Sequence, residues 1–127
     1  MSMIARAMLA ALPVALLMSV PALAQGQGDA AAGEKVFNQC KACHTVQAGQ
    51  NRVGPSLHGV VGRKAGTAEG FSYSPAMKGA NFTWTPENLD KYLADPKAVV
   101  AGNKMAFPGL KKPEDRANVI AYLAQQK

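Results

Sequence analysis

The sequence predicts an all-α domain of three to five short helices joined by long loops. Apolar residues recur at helical spacing near both ends of the chain, and several segments open with helix-start chemistry. No stretch alternates apolar and polar residues as a half-buried strand would.

Asp29 is a natural N-cap for a helix over residues 30–39, with Ala32, Val36 and Phe37 on one face that needs a helical partner. Residues 47–70 carry glycines, Asn51, Pro55 and scattered basic groups without either periodicity, so they read as loop. A helical turn is expected over 74–78, with Pro75 at its first position. Thr85-Pro86-Glu87 combines a hydroxyl cap, a proline at N1 and an acid in the first turn. Leu89, Tyr92 and Leu93 then form an apolar stripe, which Asp95-Pro96 interrupts; residues 96–101 are expected to make one further turn. Residues 102–109 place two glycines and a proline around Met105 and should be loop. A last helix opens at Pro113-Glu114-Asp115 and buries Val119, Ile120 and Leu123, with Lys127 at its carboxyl end. The two terminal helices are expected to cross through complementary apolar faces. Loops this long in so short a chain imply a large prosthetic group for them to wrap.

Residues 1–24 have the parts of a secretory signal: Arg6, an apolar run over 7–20, and Ala22-Leu23-Ala24 as a small-x-small cleavage site. The run is 14 residues long and contains Pro13, short of the roughly 20 that span a bilayer as helix. Cleavage after Ala24 would leave residues 25–127 as one domain, exported to the periplasm if the cell is Gram-negative and not membrane-spanning. That part holds 13 basic and 8 acidic side chains, ten of the basic ones lysine. A lysine-rich surface favours an acidic partner and salt-sensitive association. No nucleic-acid partner is expected, and the mature chain is expected to be a monomer.

The only two cysteines lie in Cys40-Lys41-Ala42-Cys43-His44. Two thiols three positions apart lie on one side of a helical turn, where they can form thioethers with the two vinyl groups of one haem; His44 then falls beneath the iron as proximal ligand. Three other uses carry less weight. A thioredoxin-like Cys-x-x-Cys needs a βαβ context that is missing before Cys40. Structural zinc, which would recruit Cys40, Cys43, His44 and His58, usually takes two spaced pairs. A disulfide over so small a loop would constrain the unfolded chain little.

Four of the six methionines, Met1, Met3, Met8 and Met18, lie in the leader. The open side of the iron is thus left to Met77, Met105, His58 or a lysine. Met77 sits in a helical turn, where methionine is usually packing material, and His58 reads as a surface or loop histidine. Met105 is favoured, because a Gly/Pro-bounded loop can hold a thioether at fixed distance, and His/Met ligation raises the reduction potential. Filling both axial positions favours electron transfer over catalysis.

With these residues placed, the chain resembles the class I cytochromes c, specifically the bacterial cytochrome c2 group and its mitochondrial relatives. The resemblance runs from Gly28 through Leu123 and rests on Cys40-Lys41-Ala42-Cys43-His44-Thr45-Val46, Val53-Gly54-Pro55-Ser56-Leu57-His58-Gly59, Gly62-Arg63-Lys64, Phe71-Ser72-Tyr73-Ser74, Gly102-Asn103-Lys104-Met105-Ala106-Phe107 and Ala121-Tyr122-Leu123. It implies a small cytochrome c fold around one covalently attached haem c. It also implies that the Pro55 carbonyl accepts the ring N–H of His44, that Arg63, Tyr73 and Trp84 bind the haem propionates, and that Tyr92 hydrogen-bonds near the methionine sulfur. Phe107 would lie over the exposed haem edge, and Gly33, Phe37 and Tyr122 would make the contact between terminal helices. Two positions depart: the family commonly shows threonine where Asn103 stands and asparagine where Met77 stands.

The function so implied is that of a one-electron carrier and not an enzyme. Lysines such as Lys41, Lys64, Lys78, Lys97, Lys104, Lys111 and Lys112 would steer the haem edge toward acidic docking sites on membrane redox complexes. The resemblance suggests a cytochrome bc complex as donor and a photosynthetic reaction centre, terminal oxidase or peroxidase as acceptor. The rival reading is a catalytic or sensing haem protein in which Met105 dissociates.

Overall fold

Proline opens four of the five helices, and a polar side chain caps four of them. In the computed structural model, which describes residues 28–127, the order is α1 (Ala30–Phe37), α2 (Pro75–Lys78), α3 (Pro86–Ala94), α4 (Pro96–Val99) and α5 (Pro113–Ala124). The predicted leader, residues 1–24, lies outside the described residues. The side chains of Asp29, Ser74, Thr85 and Asp95 accept the N–H groups of Ala31, Met77, Asn88 and Ala98. Each satisfies a donor that the first helical turn leaves open. Among the described residues the only strand-like feature is an isolated antiparallel bridge between Lys64 and Thr83. The fold is therefore all-α, as the periodicity predicts.

Two helix ends differ from expectation. α1 stops at Phe37, and the chain continues through i→i+3 bonds from Asn38 to Lys35, Gln39 to Val36 and Cys40 to Phe37 (3.2, 3.1 and 2.8 Å). This is the tighter winding common at helix ends. α5 stops at Ala124 with Gln125 as C-cap, so Lys127 lies beyond its last turn.

α1 crosses α5 closely because Gly33 has no side chain. A Cβ there would run into the Asn118 carbonyl and come within 2.9 Å of the Tyr122 Cβ. The Phe37 and Tyr122 rings pack 5.3 Å apart in the same contact. α3 joins the pair through Arg116, whose Nε lies 2.7 Å from Asp90 Oδ1 and whose Nη1 donates to the Leu110 carbonyl. Phe37, Val119, Ile120, Leu123, Leu89 and Tyr92 fill the core between these helices. The long loops then hang from a rigid three-helix frame.

Candidate haem site

The i→i+3 winding after α1 continues into the pentapeptide, where Cys43 N–H bonds to the Cys40 carbonyl (3.1 Å). Positions i and i+3 nearly eclipse in such a winding, so both thiols emerge on one side. Both are free and half-buried. Burial, with the charge of Cys43 adding to it, pushes the Cys40 thiol above its ordinary value. His44 N–H also bonds to the Cys40 carbonyl (2.9 Å), which sets the imidazole directly after the second thiol.

The following loop is folded back under that ring. Gly54 N–H donates to the Cys43 carbonyl and Leu57 N–H to the Thr45 carbonyl, both at 2.8 Å. Pro55 is thereby delivered to His44, and its carbonyl lies 2.7 Å from Nδ1. Nδ1 must be the protonated nitrogen in that contact, which leaves the lone pair of Nε2 for a metal. Burial holds the His44 pKa below the ordinary range; the Pro55 hydrogen bond opposes this and the Arg63 charge adds to it. The ring is thus neutral near pH 7, the form that ligates iron.

Arg63 and Trp84 are brought side by side by the Lys64–Thr83 bridge, in which Trp84 N–H donates to the Arg63 carbonyl (2.8 Å). The Arg63 Nη1 and Nη2 groups donate to the carbonyls of His58 (3.1 Å) and Ser56 (3.0 Å). Its Nε is buried and has no partner among the described residues. A buried donor in that state calls for an acceptor, and a haem propionate is of the right chemistry. The Tyr73 hydroxyl accepts the Ala68 N–H (2.9 Å), which pins the chain beside Arg63. Trp84 is buried and packs edge-on to Phe82 and Tyr92, both at 4.8 Å between centroids. Burial pushes Tyr92 up to about 12, so its phenol keeps its proton and remains a donor.

Met105 and Phe107 are half-buried in the loop between α4 and α5. Phe107 lines an open cleft with Asp95, Lys97, Ala106 and Pro108. Met77 is 8% exposed and belongs to the core. The His58 ring nitrogen Nδ1 lies 3.1 Å from the Val46 carbonyl. Among the described residues no three His, Cys, Asp or Glu side chains converge as a metal site, so the zinc alternative has no donor cluster. Two thiols on one side, an imidazole with one nitrogen tied back, and an orphaned guanidinium nitrogen together fit a haem c.

Gly54, between Val53 and Pro55, carries no chemistry of its own that marks it in the sequence. A Cβ there would collide with His44 Cε1 and lie 2.7 Å from Nδ1. The glycine is the floor on which the imidazole rests. Asn51 reads from the sequence only as a loop residue. Its Oδ1 accepts the Ser56 N–H and its Nδ2 donates to the Glu69 carbonyl, both at 2.9 Å, tying two loops together.

The sequence model of the family described as Cytochrome c matches residues 30–127. The chain is 56% identical over 106 residues to cytochrome c2 of Rhodomicrobium vannielii, covering 83% of this chain and 85% of that protein. It is 61% identical over 97 residues to the cytochrome c-type cyt cy of Rhodobacter capsulatus, covering 76% of this chain but 48% of that longer protein. Among solved structures, cytochrome cH from Methylobacterium extorquens superposes with a TM-score of 0.73 at 52% identity, over 76% of this chain and 98% of that one. Matches of this extent, on the site geometry above, make the chain a member of the class I cytochrome c family in its bacterial cytochrome c2 group, a haem c protein that carries electrons.

Proposed function

We propose that the chain is a periplasmic one-electron carrier in which His44 and Met105 are the two axial ligands of a haem held by Cys40 and Cys43. Residues 25–127 form the mature domain after cleavage at Ala24. The observation that carries this reading is the fixed imidazole: Nδ1 is held 2.7 Å from the Pro55 carbonyl, which presents Nε2 in one orientation. When bound, the haem supplies a one-electron couple. The chain's own groups hold it: Cys40 and Cys43 as tethers, Arg63, Tyr73 and Trp84 at the propionate end, and Tyr92 as a protonated donor near the sulfur. Phe107 covers the edge where partners would meet it. The carrier diffuses as a monomer between acidic docking sites on membrane redox complexes, a cytochrome bc complex as donor and a reaction centre, terminal oxidase or peroxidase as acceptor.

The test is the visible and near-infrared spectrum of the purified haem-loaded protein in both redox states. Low-spin ferric iron with a sulfur-to-iron charge-transfer band is expected. Met105→Ala should abolish that band, open the iron to small ligands and lower the potential by roughly 0.1 V or more. High-spin ferric iron in the wild type at neutral pH would support the catalytic or sensing rival. Survival of the band in Met105→Ala would overturn the ligand assignment.

A further inference from the structure

The loop that carries Met105 is closed around one buried carboxamide. Asn103 is 6% exposed, and each polar atom of its side chain is engaged. Nδ2 donates to the Pro96 carbonyl (3.1 Å) and to the Val100 carbonyl (2.9 Å). Oδ1 accepts the N–H of Met105 itself (2.9 Å). The backbone of the same residue adds to this, with its N–H on the Val100 carbonyl (3.2 Å) and its carbonyl facing Lys97 Nζ (3.4 Å).

We propose that Asn103 is the positioning residue for the Met105 thioether, and that its carboxamide sets how fast this side chain leaves the iron. The proposal rests on the reading of Met105 as axial ligand. Gly102 and Gly109 bracket the segment at positive φ, and between them the chain forms no helix. An outward displacement of the loop at Met105 has to carry the residue's own N–H with it, and that N–H is held by Oδ1. Releasing it would leave two groups short of a partner, the Met105 amide and the buried Oδ1, which cannot follow because Nδ2 is fixed on the Pro96 and Val100 carbonyls. A threonine here would have one hydroxyl proton and could donate to only one of the two carbonyls. The carboxamide therefore gives this chain a ligand loop locked by its own side chain.

The experiment uses the haem-loaded ferric protein with imidazole as the probe, at imidazole concentrations where the binding rate no longer rises. Under those conditions the rate is that of Met105 departure. Asn103→Ala is expected to raise it about tenfold or more, the effect of losing one to two net hydrogen bonds, and Asn103→Thr should fall between Ala and wild type. Asn118→Ala serves as the comparison for general loosening, since Asn118 Oδ1 accepts the Asp29 N–H at the start of α1, far along the chain from the loop. That variant should lower the unfolding midpoint while keeping the imidazole rate within about twofold of wild type. A rate for Asn103→Ala within about twofold of wild type overturns the proposal, as does an equal acceleration by Asn118→Ala. Absence of the sulfur-to-iron band in the wild type overturns both this inference and the ligation beneath it, whereas a normal band with an unaltered Asn103→Ala rate overturns this inference alone.

Discussion

At the scale of single residues, the imidazole is placed by subtraction as much as by bonding. Pro55 holds Nδ1, but the ring can lie there only because Gly54 offers no Cβ. Gly54→Ala keeps the backbone chemistry and adds one methyl where His44 already sits. Interiors are packed too tightly to absorb such an addition without shifts, and overpacking typically costs about 1–3 kcal/mol. We expect Gly54→Ala to lower the unfolding free energy by that amount, read as a lower denaturant midpoint at unchanged slope, and to perturb the low-spin spectrum by tilting the ring. A variant with wild-type midpoint and spectrum would show that the loop yields freely at this point.

At the scale of elements, the frame depends on how α1 meets α5. Phe37 is 2% exposed, and it is the largest fully buried side chain in the crossing, packed on the Tyr122 ring. Truncating such a residue removes its transfer free energy and leaves a cavity, and Phe→Ala changes of this kind cost about 3–5 kcal/mol. Phe37→Ala should therefore remove a large share of the stability of so small a domain, read as a lower urea midpoint at unchanged slope. The spectrum below the transition should stay low-spin, because neither Pro55 nor Met105 is carried by this contact. The loops that carry the site are held by their own hydrogen bonds: the Arg63–Trp84 pairing, the Asn51 clamp and the Asn103 ring.

At the scale of the whole molecule, the surface carries unpaired positive charge. All ten lysines are exposed, and the single ion pair among the described residues is between Arg116 and Asp90. None of the lysine ammonium groups is neutralised by a neighbouring carboxylate there, so their field extends into solvent. The screening length shrinks from about 30 Å at 0.01 M salt to about 3 Å at 1 M. Electron transfer to an acidic redox partner should accordingly slow by about tenfold or more across that range, measured by stopped flow. An uncharged small oxidant should show little change, and a flat profile with the acidic partner would remove the steering role from the lysines.

What could be read along the chain was local in kind. Helix starts at Asp29, Thr85 and Pro113, the break at Asp95-Pro96 and the thiol pair beside His44 all depend on neighbours within four positions, so spacing alone determines them. The family resemblance added the pairing of His44 with Pro55. Contacts between distant segments escaped that reading: the ring resting on Gly54, Gly33 against Asn118, and Arg63 set beside Trp84 by a bridge inside a stretch read as loop. The role of Asn103 escaped it as well, although its partners lie only two to seven positions away, because a turn residue becomes a buried clip only when α4 and the core exclude water from it. Local chemistry chose the elements and the cofactor's tethers; burial, which belongs to the assembled molecule, decided which polar atoms had to find one another.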